Sequence, residues 1–263
     1  MAEGKKTQRI DKMLVHLGYG SRSEIKKWVK QGRITVNGTV IKDSGLQSDP
    51  SLDRIEFDGE AVVYREFIYI MLHKPPGVIS ATEDARDRTV LDLLPDELRV
   101  FNPFPVGRLD KDTEGLLLLT NDGQLAHELL SPRKHVPKTY LADCAGEIGE
   151  KEARQFAAGV ELDDGYMTLP AEMRVVSRGT AADGSPSTRI ALTISEGKYH
   201  QVKRMLEAVG SRVTYLKRIS MGPLELDEAL PKGAFRELLA PELESLRSYS
   251  ASSKSRLFST GKA

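Results

Sequence analysis

The chain contains a single cysteine, Cys144, among its 263 residues. An intrachain disulfide and a cysteine-rich zinc site are therefore excluded, and we expect the protein in a reducing cytoplasm. No stretch approaches the ~18 consecutive apolar residues of a membrane-spanning helix, so we expect no membrane partner. The first residues, MAEGKKTQRIDK, carry basic side chains without an apolar run behind them, which argues against a secretory signal.

Motifs for phosphate, dinucleotide or metal binding are missing as well. The sequence has no phosphate-binding loop, no dinucleotide fingerprint, no His-x-x-x-His pair and no nucleophile elbow. His73, His127 and His135 are scattered without the spacing of metal ligands. An enzyme with this sequence would therefore work through ordinary side chains, without a cofactor or a metal.

Charge is distributed unevenly, although 38 basic and 38 acidic residues cancel over the whole chain. Residues 1–42 contain ten Lys or Arg and three acidic residues, a net charge of +7, which leaves −7 for the remainder. A basic module on a mildly acidic body indicates a polyanionic partner bound at one end. A solvated basic helix face explains the same charge equally well.

The pattern of residues 1–62 predicts a small domain of two helices and short hairpins. Apolar residues recur at helical spacing from Ile10 to Leu17, and Ser21 with Glu24 forms a capping-box pattern for a second helix. Asn37-Gly38, between two extended runs, is a strong signal for a tight hairpin.

After a short linker at 63–66, residues 67–244 alternate between strand and helix patterns. The run Gly115–Thr120 is typical of a strand buried on both faces. Residues 174–187, rich in Gly, Ser and Ala, are predicted to be a surface connection. Residues 245–263 are basic and serine-rich, and we predict a disordered tail.

The densest cluster of charge lies at Arg108–Glu114, directly before the apolar strand. Flanking glycines allow close turns that could present a side chain into a cleft. Asp110, next to basic residues, suits the role of a carboxylate nucleophile. From the residues alone, a salt-bridged turn is the favoured interpretation and a nucleophile the second.

The N-terminal segment resembles an S4 RNA-binding domain. The resemblance is carried by Arg9–Lys12, Ser21–Lys27 and Gly32–Gly38 in this order. It implies that a basic helical face and the following hairpin bind structured RNA, largely through phosphates. The residues expected to bind RNA here are Arg9, Arg22, Lys26, Lys27, Lys30 and Arg33.

Three further segments resemble the pseudouridine synthases that act on ribosomal RNA. They are Gly107–Gly123, Lys138–Tyr140 and Glu196–Met205. Together with the S4-like segment, they are similar to the branch that acts on the small subunit. This resemblance implies an α+β architecture, in which a small S4 domain precedes a catalytic domain with a mixed, mainly antiparallel sheet.

The same resemblance implies roles for individual side chains. Asp110 would attack the target nucleoside and break its N1–C1′ bond, after which the uracil rotates and rejoins through C5. Tyr140 would stack on the flipped uracil, and Lys203 would pair with Asp110. Arg108 would fill the stack or hold a phosphate, with Lys198 and Arg204 as further RNA contacts. Each residue also has a plainer interpretation, as a core aromatic or a general phosphate contact.

We therefore expect a monomeric, cofactor-free enzyme that converts one uridine of ribosomal RNA into pseudouridine. The expected partner is 16S rRNA, free or in a small-subunit assembly intermediate. The alternatives are a 23S enzyme of the same family, a tRNA-directed enzyme, and a non-catalytic RNA-binding assembly factor. The sequence leaves open whether the aspartate adds to C1′ or acts through a glycal.

Overall fold

In the computed structural model, which describes residues 7–258, the chain divides into two units with separate apolar cores. The N-terminal unit extends to Ile68 and also includes Pro95–Asn102. The C-terminal unit comprises Tyr69–Leu94 and the chain from Pro103 onward. No helix within residues 7–258 is long and apolar enough to cross a membrane.

The N-terminal unit combines three short helices with short strands. Its helices are α1 (Ile10–His16), α2 (Arg22–Lys30) and α3 (Asp96–Arg99). Its strands are β1 (Gln8–Arg9), β2 (Ile34–Val36), β3 (Thr39–Val40), β4 (Gln47–Ser48), β5 (Ile55–Phe57) and β6 (Glu60–Ala61). Strands β3-β2-β5-β6 form an antiparallel sheet, and β1 pairs with β4.

Local sequence signals explain how this unit begins and turns. The capping box is confirmed: the Ser21 amide donates to Glu24 Oε2 at 2.8 Å, and the Ser21 hydroxyl accepts from the Glu24 amide. The hairpin between β2 and β3 is also confirmed, with positive φ angles of 52° at Asn37 and 77° at Gly38. Ile10, Leu14 and other apolar residues of the helices form the core with Ile34 and Ile55.

Residues 95–102 join the N-terminal unit from a distant part of the sequence. The Phe101 ring packs edge-on against His16, with ring centroids 5.3 Å apart. His16 in turn hydrogen-bonds through Nε2 to the Arg65 carbonyl at 3.0 Å. The sequence of residues 95–102 alone does not predict this packing, because the residues that they contact lie more than thirty positions earlier in the chain.

The C-terminal unit is built on one large sheet. Its strands are β7 (Tyr69–Lys74), β8 (Phe104–Pro105), β9 (Glu114–Thr120), β10 (Lys138–Ala145), β11 (Glu172–Thr180), β12 (Pro186–Ile194), β13 (Val213–Met221), β14 (Leu224–Glu225) and β15 (Phe235–Glu237). Its helices are α4 (Gly123–Leu130), α5 (Glu150–Ala158), α6 (Gln201–Ala208) and α7 (Ala240–Phe258). Short 3-10 helices occupy Val90–Leu93 and Pro132–Lys134.

The sheet order is β11-β12-β10-β13-β9-β7-β15, with β14 beside β13 and β8 beside β9. All of these pairs are antiparallel except β9 with β13. The sheet is thus mixed and mainly antiparallel, and the predicted α+β fold is confirmed. Strand β9 is buried along its whole length, as its apolar sequence predicts.

Two sequence predictions are wrong in this unit. Residues 174–187 are not a loose connection but contribute to the hairpin of β11 and β12. Strand β11 lies at the sheet edge and is largely exposed, so it lacks the apolar alternation of a half-buried strand. The predicted disordered tail is instead helical to Phe258, and Leu246 of α7 is fully buried in the core. Residues 259–263 lie outside the described residues.

Candidate active site

A cleft of about 980 Å³ opens in the C-terminal unit. It is lined by the loop before β9, by strands β10 and β13, and by the loop that leads into α6. Among the residues predicted from sequence, those lining this cleft are Arg108, Asp110, Tyr140 and Lys198. The volume is sufficient for an extruded nucleotide.

A buried lysine, Lys74, holds the backbone of the loop that carries Asp110. Lys74, at the end of β7, is fully buried, and its Nζ donates to the carbonyls of Asp110 at 3.0 Å and Thr113 at 2.8 Å. A third bond reaches the Pro75 carbonyl at 3.1 Å. Burial, although opposed by the nearby Asp110 carboxylate, lowers the pKa of Lys74 to about 8. The sequence does not identify Lys74 as a site residue, since its only signal is a charged residue at the end of an apolar strand.

A serine holds the same loop through Leu109, the residue before Asp110. The Ser80 hydroxyl accepts from the Leu109 amide at 3.0 Å and donates to the Leu109 carbonyl at 2.9 Å. Gly107, at φ 78°, supplies the turn that brings this segment into the cleft. Asp110 therefore projects from a backbone that is hydrogen-bonded on both sides of it.

Lys203 on α6 joins two carboxylates of this loop. Its Nζ lies 3.1 Å from Asp110 Oδ2 and 2.7 Å from Asp112 Oδ1. Burial by itself lowers the pKa of Lys203, but its hydrogen bonds to Asp112 and Asp110 outweigh that effect and leave the pKa raised. The hydrogen bond from Lys203 lowers the pKa of Asp112. Nothing in the sequence indicates that Asp112 shares this lysine.

His200 also lies close to the Asp110 carboxylate. Its Nε2 lies 3.6 Å from Asp110 Oδ1, and its ring stacks on Tyr199 with centroids 3.8 Å apart. His200 is the N-cap of α6 and adopts a left-handed backbone, φ 49°, which is uncommon for residues other than Gly, although His, Asn and Asp adopt it more often than the rest.

Tyr140 and Arg218 face each other across β10 and β13 at the floor of the cleft. Tyr140 is 8% exposed and Arg218 is 2% exposed, with its Nε donating to the Leu116 carbonyl at 2.8 Å. Gly115 lies beside Arg218 in the parallel pair, and a Cβ at Gly115 would fall 2.2 Å from the Arg218 carbonyl oxygen. Lys138, two residues before Tyr140, also lines the cleft, and burial lowers its pKa to about 8.

The predicted RNA contacts around α6 differ in their surroundings. Arg108 is exposed at the cleft, and the Lys198 ammonium lies 4.3 Å from the centre of the Tyr166 ring. Arg204 instead pairs with Asp163 and Asp164, and only 13% of its side chain is exposed. The phosphate contact expected at Arg204 stays a prediction, and in this structure its guanidinium forms ion pairs within the protein.

The basic residues of the N-terminal unit fall into two groups. Those on the outer face of α2 are exposed, namely Arg22, Lys26, Lys27 and Lys30. Arg9 and Arg33 instead pair with Asp11 and Asp58, and the Arg33 guanidinium lies 4.7 Å from the centre of the Phe57 ring. The charge available for phosphates is thus concentrated on α2.

The burial of Glu114 is not predicted from the sequence. It begins β9 and is 2% exposed, with Tyr215 donating a short hydrogen bond to it and Lys232 2.8 Å away. Glu114 is therefore a buried carboxylate that contacts a tyrosine and a lysine. Cys144 is buried, which raises the pKa of its thiol to about 12 and makes it unreactive. Within residues 7–258, no cluster of His, Cys, Asp or Glu side chains could hold a metal ion.

Models of two known families match the sequence of this chain. The RNA pseudouridylate synthase family model matches residues 68–208, and the S4 domain model matches residues 8–51. A solved pseudouridylate synthase is 35% identical with a TM-score of 0.60, covering 91% of this chain and 99% of its own. The chain belongs to the RNA pseudouridylate synthase family and carries an N-terminal S4 domain.

Curated relatives extend over nearly the whole chain. An uncharacterised RNA pseudouridine synthase of Bacillus subtilis is 53% identical over 90% of this chain and 98% of its own. Ribosomal small subunit pseudouridine synthase A of Yersinia pestis is 39% identical over 90% of this chain and 97% of its own. Ribosomal large subunit pseudouridine synthase B of Bacillus subtilis is 38% identical over 91% and 96%. The protein is therefore an RNA pseudouridine synthase, an isomerase.

Proposed function

We propose that this protein converts one uridine of small-subunit ribosomal RNA into pseudouridine, with Asp110 as the residue that acts on the target nucleoside. The observation that carries the proposal is the Asp110–Lys203 pair at 3.1 Å, which lies in a cleft large enough for an extruded nucleotide. Likeness to a small-subunit enzyme supports the choice of 16S rRNA, and the similar likeness to a large-subunit enzyme makes 23S rRNA the alternative outcome.

In this proposal each cleft residue contributes to one step. The Asp110 carboxylate lies where positive charge builds on the ribose as the N1–C1′ bond breaks, and it stabilises or traps that charge. Lys203 compensates the carboxylate and fixes its orientation. Tyr140, buried at the cleft floor, stacks on the uracil while it rotates and rejoins C1′ through C5. The hydrogen on C5 then leaves as a proton, and N1 takes up a proton, so the product is an isomer of uridine.

RNA would be held by two sets of cations. In the cleft, Arg108 and Lys198 meet the phosphates around the flipped nucleotide. In the S4 domain, the exposed cations of α2 bind structured RNA through its backbone. We propose residues 1–62 as the RNA-binding domain and residues 67–244 as the catalytic domain, joined by 63–66, with α7 continuing beyond 244.

The experiment that tests this function is pseudouridine mapping of ribosomal RNA from cells that lack the protein. Carbodiimide modification and primer extension show which site is lost, and complementation uses wild type or Asp110→Asn. Loss of one 16S site, restored by wild type alone, is the expected result. A lost 23S site would transfer the substrate to the large subunit. Restoration by Asp110→Asn would remove Asp110 from the chemistry, and an unchanged rRNA would overturn the proposed substrate.

A further inference from the structure

Tyr199 is the most exposed aromatic residue among residues 7–250, with 73% of its surface accessible. It lies in the loop between β12 and α6 and lines the cleft that contains Asp110. Neither the carboxylate chemistry nor the packing of the core uses this ring. An aromatic side chain in that position is free to contact whatever enters the cleft.

The loop beneath Tyr199 is fixed at both ends. Glu196 Oε1 accepts from Gln201 Nε2 at 2.7 Å and from the Leu169 amide at 2.9 Å. Gln201 is 4% exposed, and its Oε1 accepts from the Lys198 amide at 2.8 Å. The exposed ring therefore stands on an ordered backbone, so its binding would cost little conformational entropy.

One face of the Tyr199 ring is already occupied. It stacks on His200 with an interplanar angle of 19°, and His200 Nε2 lies 3.6 Å from Asp110 Oδ1. Because the ring remains largely exposed, its other face is open to a further planar group.

The charged residues of the cleft favour a nucleobase as the ligand. Lys198 and Arg108 provide exposed cations in the same cleft, and exposed aromatic rings together with cations bind unstacked bases and their phosphates. We propose that Tyr199 stacks on an unpaired base adjacent to the target uridine, which extends the Tyr199–His200 stack onto the RNA. This inference rests on the proposed function, because it requires a target nucleotide in the cleft.

The test uses the full chain and a short RNA that contains the mapped uridine labelled with tritium at C5. Isomerisation releases this tritium to water, so single-turnover rates at increasing enzyme concentration separate binding from chemistry. We expect Tyr199→Ala to raise the half-saturating concentration roughly 10-fold to 100-fold, with the plateau rate nearly unchanged. Tyr199→Phe should behave as wild type. Met167→Ala, which removes an exposed side chain outside the cleft, is the matched control.

A second set of RNAs carries an abasic nucleotide on the 5′ or the 3′ side of the target. On one of these RNAs wild type should lose the same affinity that Tyr199→Ala loses on intact RNA, and Tyr199→Ala should lose nothing further. Additive losses on both abasic RNAs, or a Tyr199→Ala protein equal to wild type, would overturn the stacking inference alone. A wild-type protein that releases no tritium would overturn the proposed function and this inference with it.

Discussion

The ammonium of Lys203 lies 3.1 Å from the Asp110 carboxylate, although the two residues are separated by more than ninety positions in the chain. Helix α6 and the loop before β9 bring them together, so the charge pair depends on tertiary structure. Asp112 shares the same ammonium at 2.7 Å but is 73% exposed in its side chain. Of the two carboxylates that contact Lys203, Asp110 is therefore the less exposed and Asp112 the more exposed.

This asymmetry predicts different consequences for the three side chains. Lys203→Met leaves the Asp110 carboxylate without its cation, and we expect the single-turnover rate to fall by roughly 100-fold or more. Lys203→Arg keeps the charge and should retain part of the rate. Asp112→Asn is the matched control, since it removes only the exposed partner, and its rate should fall by a few-fold at most. Tritium release from C5-labelled RNA measures all three. Equal losses in Lys203→Met and Asp112→Asn would contradict this account.

The α2 surface gives a prediction about RNA affinity. Replacing Lys26, Lys27 and Lys30 together by Gln removes three exposed cations without touching the buried face of the helix. Binding to 16S rRNA should weaken, and the slope of log Kd against log salt should decrease by about 2 to 3, because fewer counterions are released. Fluorescence anisotropy over a salt series measures this slope. Lys151→Gln, an exposed lysine on α5, is the control and should leave the slope unchanged.

Much of the fold is predictable from sequence because its signals are local. The Ser21–Glu24 capping box, the Asn37-Gly38 turn and the apolar run of β9 each lie within a few residues, and each forms as predicted. Strand β11 could not be predicted in the same way, because it is an exposed edge strand whose pairing with β12 supplies its order.

The residues of the site can be divided in the same way, into those that sequence motifs predict and those that only the tertiary structure shows. The choice of Asp110, Tyr140 and Lys203 came from motif resemblance, and the structure brings Asp110 and Lys203 into contact and places Tyr140 in the same cleft. The buried contacts of Lys74 and the two carboxylates that neutralise Arg204 come from distant parts of the chain. No spacing pattern encodes these partners, so they emerge only from the assembled sheet and loops.

Lys74 leads to a prediction about stability and pH. Burial lowers its pKa to about 8 from an ordinary 10.5, so between these values the unfolded chain binds the proton more tightly than the folded one. Stability contributed by this residue must therefore rise with pH in that interval and is smallest below about pH 8. From about pH 7 to about pH 9.5, wild type should gain on the order of 2 kcal/mol relative to Lys74→Met.

Thermal unfolding followed by circular dichroism at the two pH values measures this difference. Lys111→Met, which replaces an exposed lysine paired with Asp87, is the control and should show no such change with pH. If the stability of wild type relative to Lys74→Met stays constant or falls as the pH rises, the assignment is wrong. Should Lys74→Met fail to fold, titration of the Lys74 ammonium by NMR in the wild-type protein gives the pKa directly.

Gly115 supports the site through a close approach of two strands. A Cβ there would lie 2.2 Å from the Arg218 carbonyl oxygen and 2.6 Å from its amide nitrogen, and the φ of 113° is itself unfavourable for other residues. Because both clashes involve backbone, Gly115→Ala must separate β9 from β13. We expect this variant to lose about 3 kcal/mol or more in stability and to lose activity as well. Gly123→Ala, where a Cβ meets nothing within 4 Å, should be neutral or slightly stabilising. Melting temperatures and tritium release of the two variants test the contrast, and a stable, active Gly115→Ala protein would show that the β9–β13 pairing tolerates separation.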